Sequence, residues 1–243
     1  MKTIVAKKIG RRPKRKANSP DLSKAKIVAA ALNLLDRRGL DSFSLRDVAR
    51  ALGVYPTALY WHVPNRNALL AEIVAHALRH VSPPTDAGDW RIWLRELFRR
   101  YRREVRRHPN IAPLIGARLV SNAGAGLELV ERILALLDGA GFRGRSLVDA
   151  YNVVIAAKVG FVTLEFATPP AKGIDDWKGA LERQLSSVQS STYPTLARYL
   201  PELANRAFIL RWENGADQPL DAAFESFIEV VLSGLAERLR KSR

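Results

Sequence analysis

The chain has 243 residues, 47% of them hydrophobic, and a formal net charge of +15. That apolar share supports a packed core and argues against a disordered chain. The absence of cysteine excludes disulfide scaffolds and thiolate metal sites and fits a reducing compartment. No apolar run reads as long as the roughly 20 residues a membrane span needs, and the basic start lacks the apolar stretch of a secretory signal. A soluble, cytoplasmic protein with no membrane partner is expected.

The charge is uneven. Residues 1–82 hold 16 Lys/Arg against 5 Asp/Glu, a net of +11, whereas residues 83–243 hold 23 against 19, a net of +4. The first third would attract a polyanion, nucleic acid before an anionic membrane surface. Plain solubility is the alternative.

Residues 1–20 carry eight basic residues and no acidic one, and read as a disordered basic arm. Such arms lie along phosphates or in a minor groove, or add only non-specific affinity. Helical spacing begins at Leu22 and continues through Ile27, Ala30, Ala31, Leu34 and Leu35, with Ser23 as N-cap and Gly39 as the end. In SLRDVARAL, Ser44 and Asp47 form a variant capping box, Leu45, Val48, Ala49 and Leu52 an apolar face, and Gly53 the following turn. Pro56 suits the first turn of a short helix ending near His62. After Pro64, Asn65 caps a longer helix through about His80.

Ser82, Pro83, Pro84 and Gly88 mark a boundary. Helices are predicted over 89–107, 110–119, 124–140, 146–167, 175–190 and 220–240, and strand-like alternation is almost absent. The fold class is therefore all-α. A basic arm (1–20) leads into a small unit (21–82), followed by a larger helical unit (83–243).

Two short helices joined by a glycine-containing turn are the sequence form of a helix-turn-helix, whose second helix enters the major groove. Tyr55, Pro56, Thr57, Ala58, Tyr60 and Trp61 would face outward and Leu59 inward. Tyr60, Trp61 and His62 carry donors for phosphate oxygens, and Arg66 adds a cation at the positive end of the next helix. The alternative is that Tyr60 and Trp61 form the hinge of a small helical core.

The run from Leu22 to about Leu78 resembles the DNA-binding domain of the tetracycline-repressor family. The resemblance is carried by AALNLLDRRGLDSFSLRDVARALGV followed by TALYWHVPNRNALL. It extends more weakly to Gly141-Phe142 and to PLDAAFESFIEVVLSGLAERL. It implies a three-helix helix-turn-helix domain joined to a ligand-binding and dimerisation domain. By position it implies that Arg46 reads a base, a contact worth about 1–3 kcal/mol. It implies a phosphate contact for Ser44, compatible with capping, and for Tyr60, Trp61, His62 and Arg66. Pro56, Thr57 and Ala58 replace the tetracycline repressor's Gln-Pro-Thr run, so different bases must be read.

A unit this small recognises few base pairs, and pairing doubles the site. A homodimer on a palindromic operator in double-stranded DNA is expected, with the interface at 146–167 and 220–240. Phe224, Phe227, Ile228, Val231, Leu232 and Leu235 form a stripe that is either internal core or, as the resemblance implies, partly intersubunit. A small-molecule inducer would sit among Trp90, Trp93, Leu97, Tyr101, Ile115, Leu119, Tyr151 and Phe161, although such an aromatic stripe is also how a core looks.

Ile115, Leu97 and Ser82 stand where tetracycline-responsive members of the family have a metal-ligating histidine, a drug-binding asparagine and a pocket histidine. None of His62, His76, His80 and His108 has convincing ligand partners. No metal, no cofactor and no metal-tetracycline are therefore expected, and the inducer should be less polar. Tyr151, Lys158 and Glu165 recur every seven residues, either as polar anchors of a pocket or as groups that meet solvent or pair across an interface. RRYRREVRRHP at 99–109 reads as a solvated helix face.

No nucleophile–base pair, phosphate loop or metal spacing suggests an enzyme. Asp175 and Asp176 suit a helix start. A ligand-independent architectural DNA binder is the other alternative, though about 160 further residues exceed what coating DNA requires. The reading is a transcriptional regulator, a repressor, released by a small molecule.

Overall fold

A computed structural model describes residues 22–84, 88–116, 126–168, 170 and 173–241. The basic arm, Leu119 and the end of the helix predicted over 110–119 lie outside the described residues. Among the described residues every regular element is a helix.

The N-terminal head begins with α1 (Lys24–Arg38), where the Ser23 hydroxyl accepts from the Lys26 N–H at 3.3 Å and Gly39 ends the helix. Helix α2 (Leu45–Leu52) is capped by Ser44, whose hydroxyl accepts from the Asp47 N–H at 3.2 Å and donates to the Asp47 carboxylate. Gly53 then turns the chain at φ 66°, ψ 30°, a left-handed conformation that a side chain would strain. Helix α3 (Pro56–Tyr60) opens on Pro56, whose missing N–H costs nothing in a first turn. Helix α4 (Arg66–Ala77) is capped by the Asn65 carbonyl oxygen, 2.9 Å from the Ala68 N–H. Ile27, Ala31, Leu35, Val48, Leu59, Leu69 and Ile73 close the core of the head.

The body contains α5 (Trp90–Arg107), a 3₁₀ turn (Pro109–Ile111), α6 (Ala112–Gly116), α7 (Leu127–Ala140), α8 (Gly144–Glu165), α9 (Ile174–Ser186), α10 (Pro194–Leu203) and α11 (Asp221–Lys241). Helix α8 packs against α5, α6, α7 and α11. Gly141 ends α7, and the buried Phe142 donates its N–H to the Leu137 carbonyl at 3.1 Å and meets Trp90 edge-on at 6.4 Å.

Several expectations need correction. The helix predicted from 110 is interrupted, because Pro109 opens a 3₁₀ turn before α6. Helix α10 was not predicted: it is only ten residues long, begins at Pro194, contains Pro201 and buries no residue. Helix α8 is long and apolar enough to cross a bilayer, with a mean hydropathy of 1.6 in its most apolar window, contrary to the expectation that no run is. Here it is instead the central helix of the body. The stripe on α11 is chiefly internal, with Phe224, Ile228, Leu232 and Leu235 buried and Phe227 and Val231 half-buried. Its outward face is Ser226, Val230, Ser233 and Gly234.

The basic run at 99–109 is not simply a solvated face. Tyr101 and Val105 are buried, and so is Arg102, which grips the fully buried Glu165 with two hydrogen bonds of 2.6 and 2.7 Å. Arg102 also meets Asp221 at 2.7 Å. Glu165 accepts further from the Leu220 N–H at 2.9 Å, so one carboxylate ties α8 to α5 and to the start of α11.

Candidate functional site

The turn at Gly53 sets α3 against α2 so that Leu59 is fully buried while its neighbours project outward. Trp61 is 89% exposed, Tyr55 84% and Tyr60 52%. Pro56 and Thr57 are exposed, and Ala58 and His62 are half-buried. The rings therefore do not form a hinge core. Arg46 is exposed on the same wedge and makes no hydrogen bond or ion pair among the described residues.

Two predicted contact residues have work inside the head. The Arg66 guanidinium donates to the Leu40 carbonyl at 3.0 Å and the Phe43 carbonyl at 3.3 Å, and lies 5.8 Å from the Phe43 ring centroid. Ser44 is engaged with Asp47 as the cap of α2. The Ser44 hydrogen bond, with Arg50 at 2.7 Å and Arg38 at 3.4 Å, holds the Asp47 carboxyl below its usual range. That carboxylate is thus neutralised beside the basic wedge.

Head and body are joined at two places. The Asp36 carboxylate of α1 meets His108 Nδ1 at 2.8 Å, and the Asn110 amide donates to the Leu35 and Asp36 carbonyls at 3.0 and 3.1 Å. The second joint is α4 itself. Its Val74 and Ala75, with Leu78 just beyond, form one side of a cavity of about 1270 Å³, bordered otherwise by the 82–84 segment, α5, Ile115 of α6, α7 and α8.

Of the predicted lining, Tyr101, Ile115 and Tyr151 face this cavity, as does Ser82. Trp93, Leu97 and Phe161 do not. Trp93 is buried with its indole N–H donating to the Pro84 carbonyl at 3.0 Å, and Leu97 is core. Phe161 packs within a cluster of Phe208, Phe224 and Phe227, at centroid distances of 5.1 to 5.3 Å. Trp90 borders a separate, charged cleft of about 730 Å³ with Arg95 and Glu229. Trp93 and Leu97 share a stripe of α5 with Tyr101 but lie two turns and one turn before it, beyond the reach of the cavity. Among the described residues, no three His, Asp or Glu are grouped to hold a metal ion.

The series at seven-residue spacing divides. Tyr151 and Lys158 line the cavity, whereas Glu165 is locked to Arg102 within the chain and reaches neither solvent nor a partner. Lys158 places its ammonium 4.8 Å from the centroid of the Tyr101 ring. Burial pushes the Lys158 amine down to about 8 and raises the Tyr101 hydroxyl above its ordinary value. Arg79, Arg100 and Arg132 also border the cavity and were not foreseen. Lys158 had a signal, being an isolated lysine in an apolar helix. The arginines sit in ordinary basic runs and had none.

The head matches a family model described as bacterial regulatory proteins, tetR family, over residues 27–73. The body matches one described as tetracyclin repressor-like, C-terminal domain, over residues 82–239. The tetracycline repressor protein class A from transposon 1721 of Escherichia coli is 31% identical over 218 residues, covering 87% of this chain and 89% of that protein. ActR of Streptomyces coelicolor in complex with (S)-DNPA is similar with a TM-score of 0.63 and 26% identity, over 88% of this chain and 98% of that one. BioQ with its double-stranded DNA operator is similar with a TM-score of 0.54 and 33% identity, over 60% of this chain and 88% of that one. The chain belongs to the tetR family of bacterial transcriptional regulators.

Proposed function

We propose that two copies of this chain repress transcription by gripping a palindromic operator, and that a small molecule in the cavity releases them. Each head, residues 21–82, reads a half-site with Arg46 and the outward side of α3. The Thr57 hydroxyl and Ala58 methyl meet base edges. Tyr55, Pro56, Tyr60, Trp61 and His62 meet sugar and phosphate. Ser44 and Arg66 stand at the margin and hold the wedge in shape while they approach the backbone.

The body, residues 83–243, pairs the copies. What supports this is the outward side of α8 and α11. Asn152, Val153, Ala156, Gly160 and Leu164 are exposed on one helix, and Ser226, Val230, Ser233 and Gly234 on the other. Small residues let helices approach closely, and Val230 is 72% exposed.

The observation that carries the regulatory reading is the shared helix. One end of α4 packs in the head and the other forms a cavity wall. A ligand that fits the cavity better in one α4 position shifts the heads toward that spacing, by no more than its difference in affinity for the two states. Ile115 offers no metal ligand and Leu97 is not in the wall, so the inducer is not a metal-tetracycline. The protein works in the cytoplasm, on DNA, and is not an enzyme. BioQ was solved on its operator and ActR with small molecules, which supports both halves of this reading. Selection of duplexes from random DNA by the full chain tests it. A two-fold symmetric sequence is expected, and enrichment of none would refute it.

A further inference from the structure

In the cavity wall, Tyr101 and Lys158 have no hydrogen-bond or ion-pair partner among the described residues. Tyr101 is 1% exposed, and its hydroxyl has no hydrogen-bond partner. Lys158 makes no ion pair or hydrogen bond among the described residues, and its ammonium lies 4.8 Å from the centroid of the Tyr101 ring. The other cations of the wall are engaged. Arg132 is held by Glu128 at 2.9 Å, Arg100 by Glu96 at 2.7 Å, and Arg79 by His76 and by His80 at 2.8 Å.

A buried hydroxyl without a partner and a desolvated ammonium without a counter-ion both cost free energy. Both groups can donate, and no acceptor among the described residues serves either. Their complement is an oxygen group with negative charge. Around them, Leu78, Ile115, Ile155 and Val159 present apolar surface to the rest of an occupant.

We propose that the ligand of this cavity is an organic oxyanion, an apolar body carrying a carboxylate or similar acid group. The Lys158 ammonium is its counter-ion and the Tyr101 hydroxyl its second donor. This rests on the reading of the cavity as the regulatory site. The raised Tyr101 value keeps that hydroxyl a donor, and an anion beside Lys158 restores its ammonium form. Charge-assisted bonds of this kind are about twice as strong as neutral ones.

The test uses two dyes with one ring system, 8-anilino-1-naphthalenesulfonate and the neutral N-phenyl-1-naphthylamine, in fluorescence titrations of the full chain. The sulfonate should bind roughly tenfold or more tighter than the neutral dye, as one charge-assisted contact implies. Lys158→Met should abolish that preference by weakening the sulfonate alone. Lys158→Arg should restore part of it, and Tyr101→Phe should weaken the sulfonate but not the neutral dye. The helical circular-dichroism spectrum checks folding of each variant. A preference that survives Lys158→Met overturns the assignment, as does an equal loss for both dyes. Equal binding of both dyes by the unmodified chain removes the anion and leaves the cavity. Binding of neither removes the cavity as a ligand site.

Discussion

At the residue scale, Arg46 stands exposed without a partner among the described residues, whereas Arg66 donates to two carbonyls of the α1–α2 connection. The two cations should respond differently to removal. Arg46→Ala should leave the melting curve in place and relax selectivity at one operator position, by about 1–3 kcal/mol. Unchanged selectivity in a base-by-base competition would exclude it as a reader. Arg66→Ala loses charge-assisted bonds to the backbone and should lower unfolding stability by about 1–3 kcal/mol. A denaturant midpoint equal to that of the unmodified chain would mean those bonds are idle.

Lys158 carries a pH prediction. Burial disfavours its ammonium and pushes its pKa down to about 8, below its ordinary value. Arg79 just beyond α4, Tyr101 and Arg100 of α5, Glu128 and Arg132 of α7, and Tyr151 of α8 also face the cavity. Tyr101 is shifted upward, so Lys158 is the group moved into this range. Below about 8 the ammonium is present, and affinity for the naphthalenesulfonate should be flat. As pH rises further, a proton must be taken up on binding, and affinity should fall by up to roughly tenfold per pH unit. A flat titration from pH 7 to about 9.5 would contradict the ion pair.

At the element scale, the pair of Arg102 and Glu165 does for the body what Gly53 does for the head. It fixes α5, α8 and the start of α11 against one another. The fit is close, since a Cβ on Gly215 would come within 2.5 Å of Glu165 Cγ, and the Gly215 N–H already donates to the Glu165 carbonyl at 2.7 Å. Glu165→Ala leaves a buried guanidinium with only Asp221 beside it, and should cost about 3 kcal/mol of stability. An unchanged unfolding midpoint would show that the pair is not holding these helices.

The head elements were legible because local rules agree there. Ser23, Ser44 and Asn65 cap, Gly53 turns, and Pro56 begins a helix, each within a few residues of its cause. The body was legible in its long helices and less so in its wall. Whether a ring on α5 meets the cavity or the core depends on how far along the helix the cavity extends, which no residue spacing states. Trp93, Leu97 and Phe161 are packed into the core, whereas Tyr101 and Tyr151 border the cavity. Arg102 read as surface because its partner lies 63 positions away.

At the scale of the whole molecule, the parts form one chain of cause. A basic wedge stands on the head, small side chains are exposed on α8 and α11, and α4 connects the wedge to a cavity bordered by Tyr101 and Lys158. The central claim is that the wedges act in pairs on a duplex. Sedimentation equilibrium of the full chain with a selected operator duplex tests it most directly, because the mass of the complex counts chains. Two chains per duplex, with no smaller complex at substoichiometric protein, is the predicted result. A single chain per duplex, or a mass that climbs steadily with added protein as DNA is coated, would contradict it.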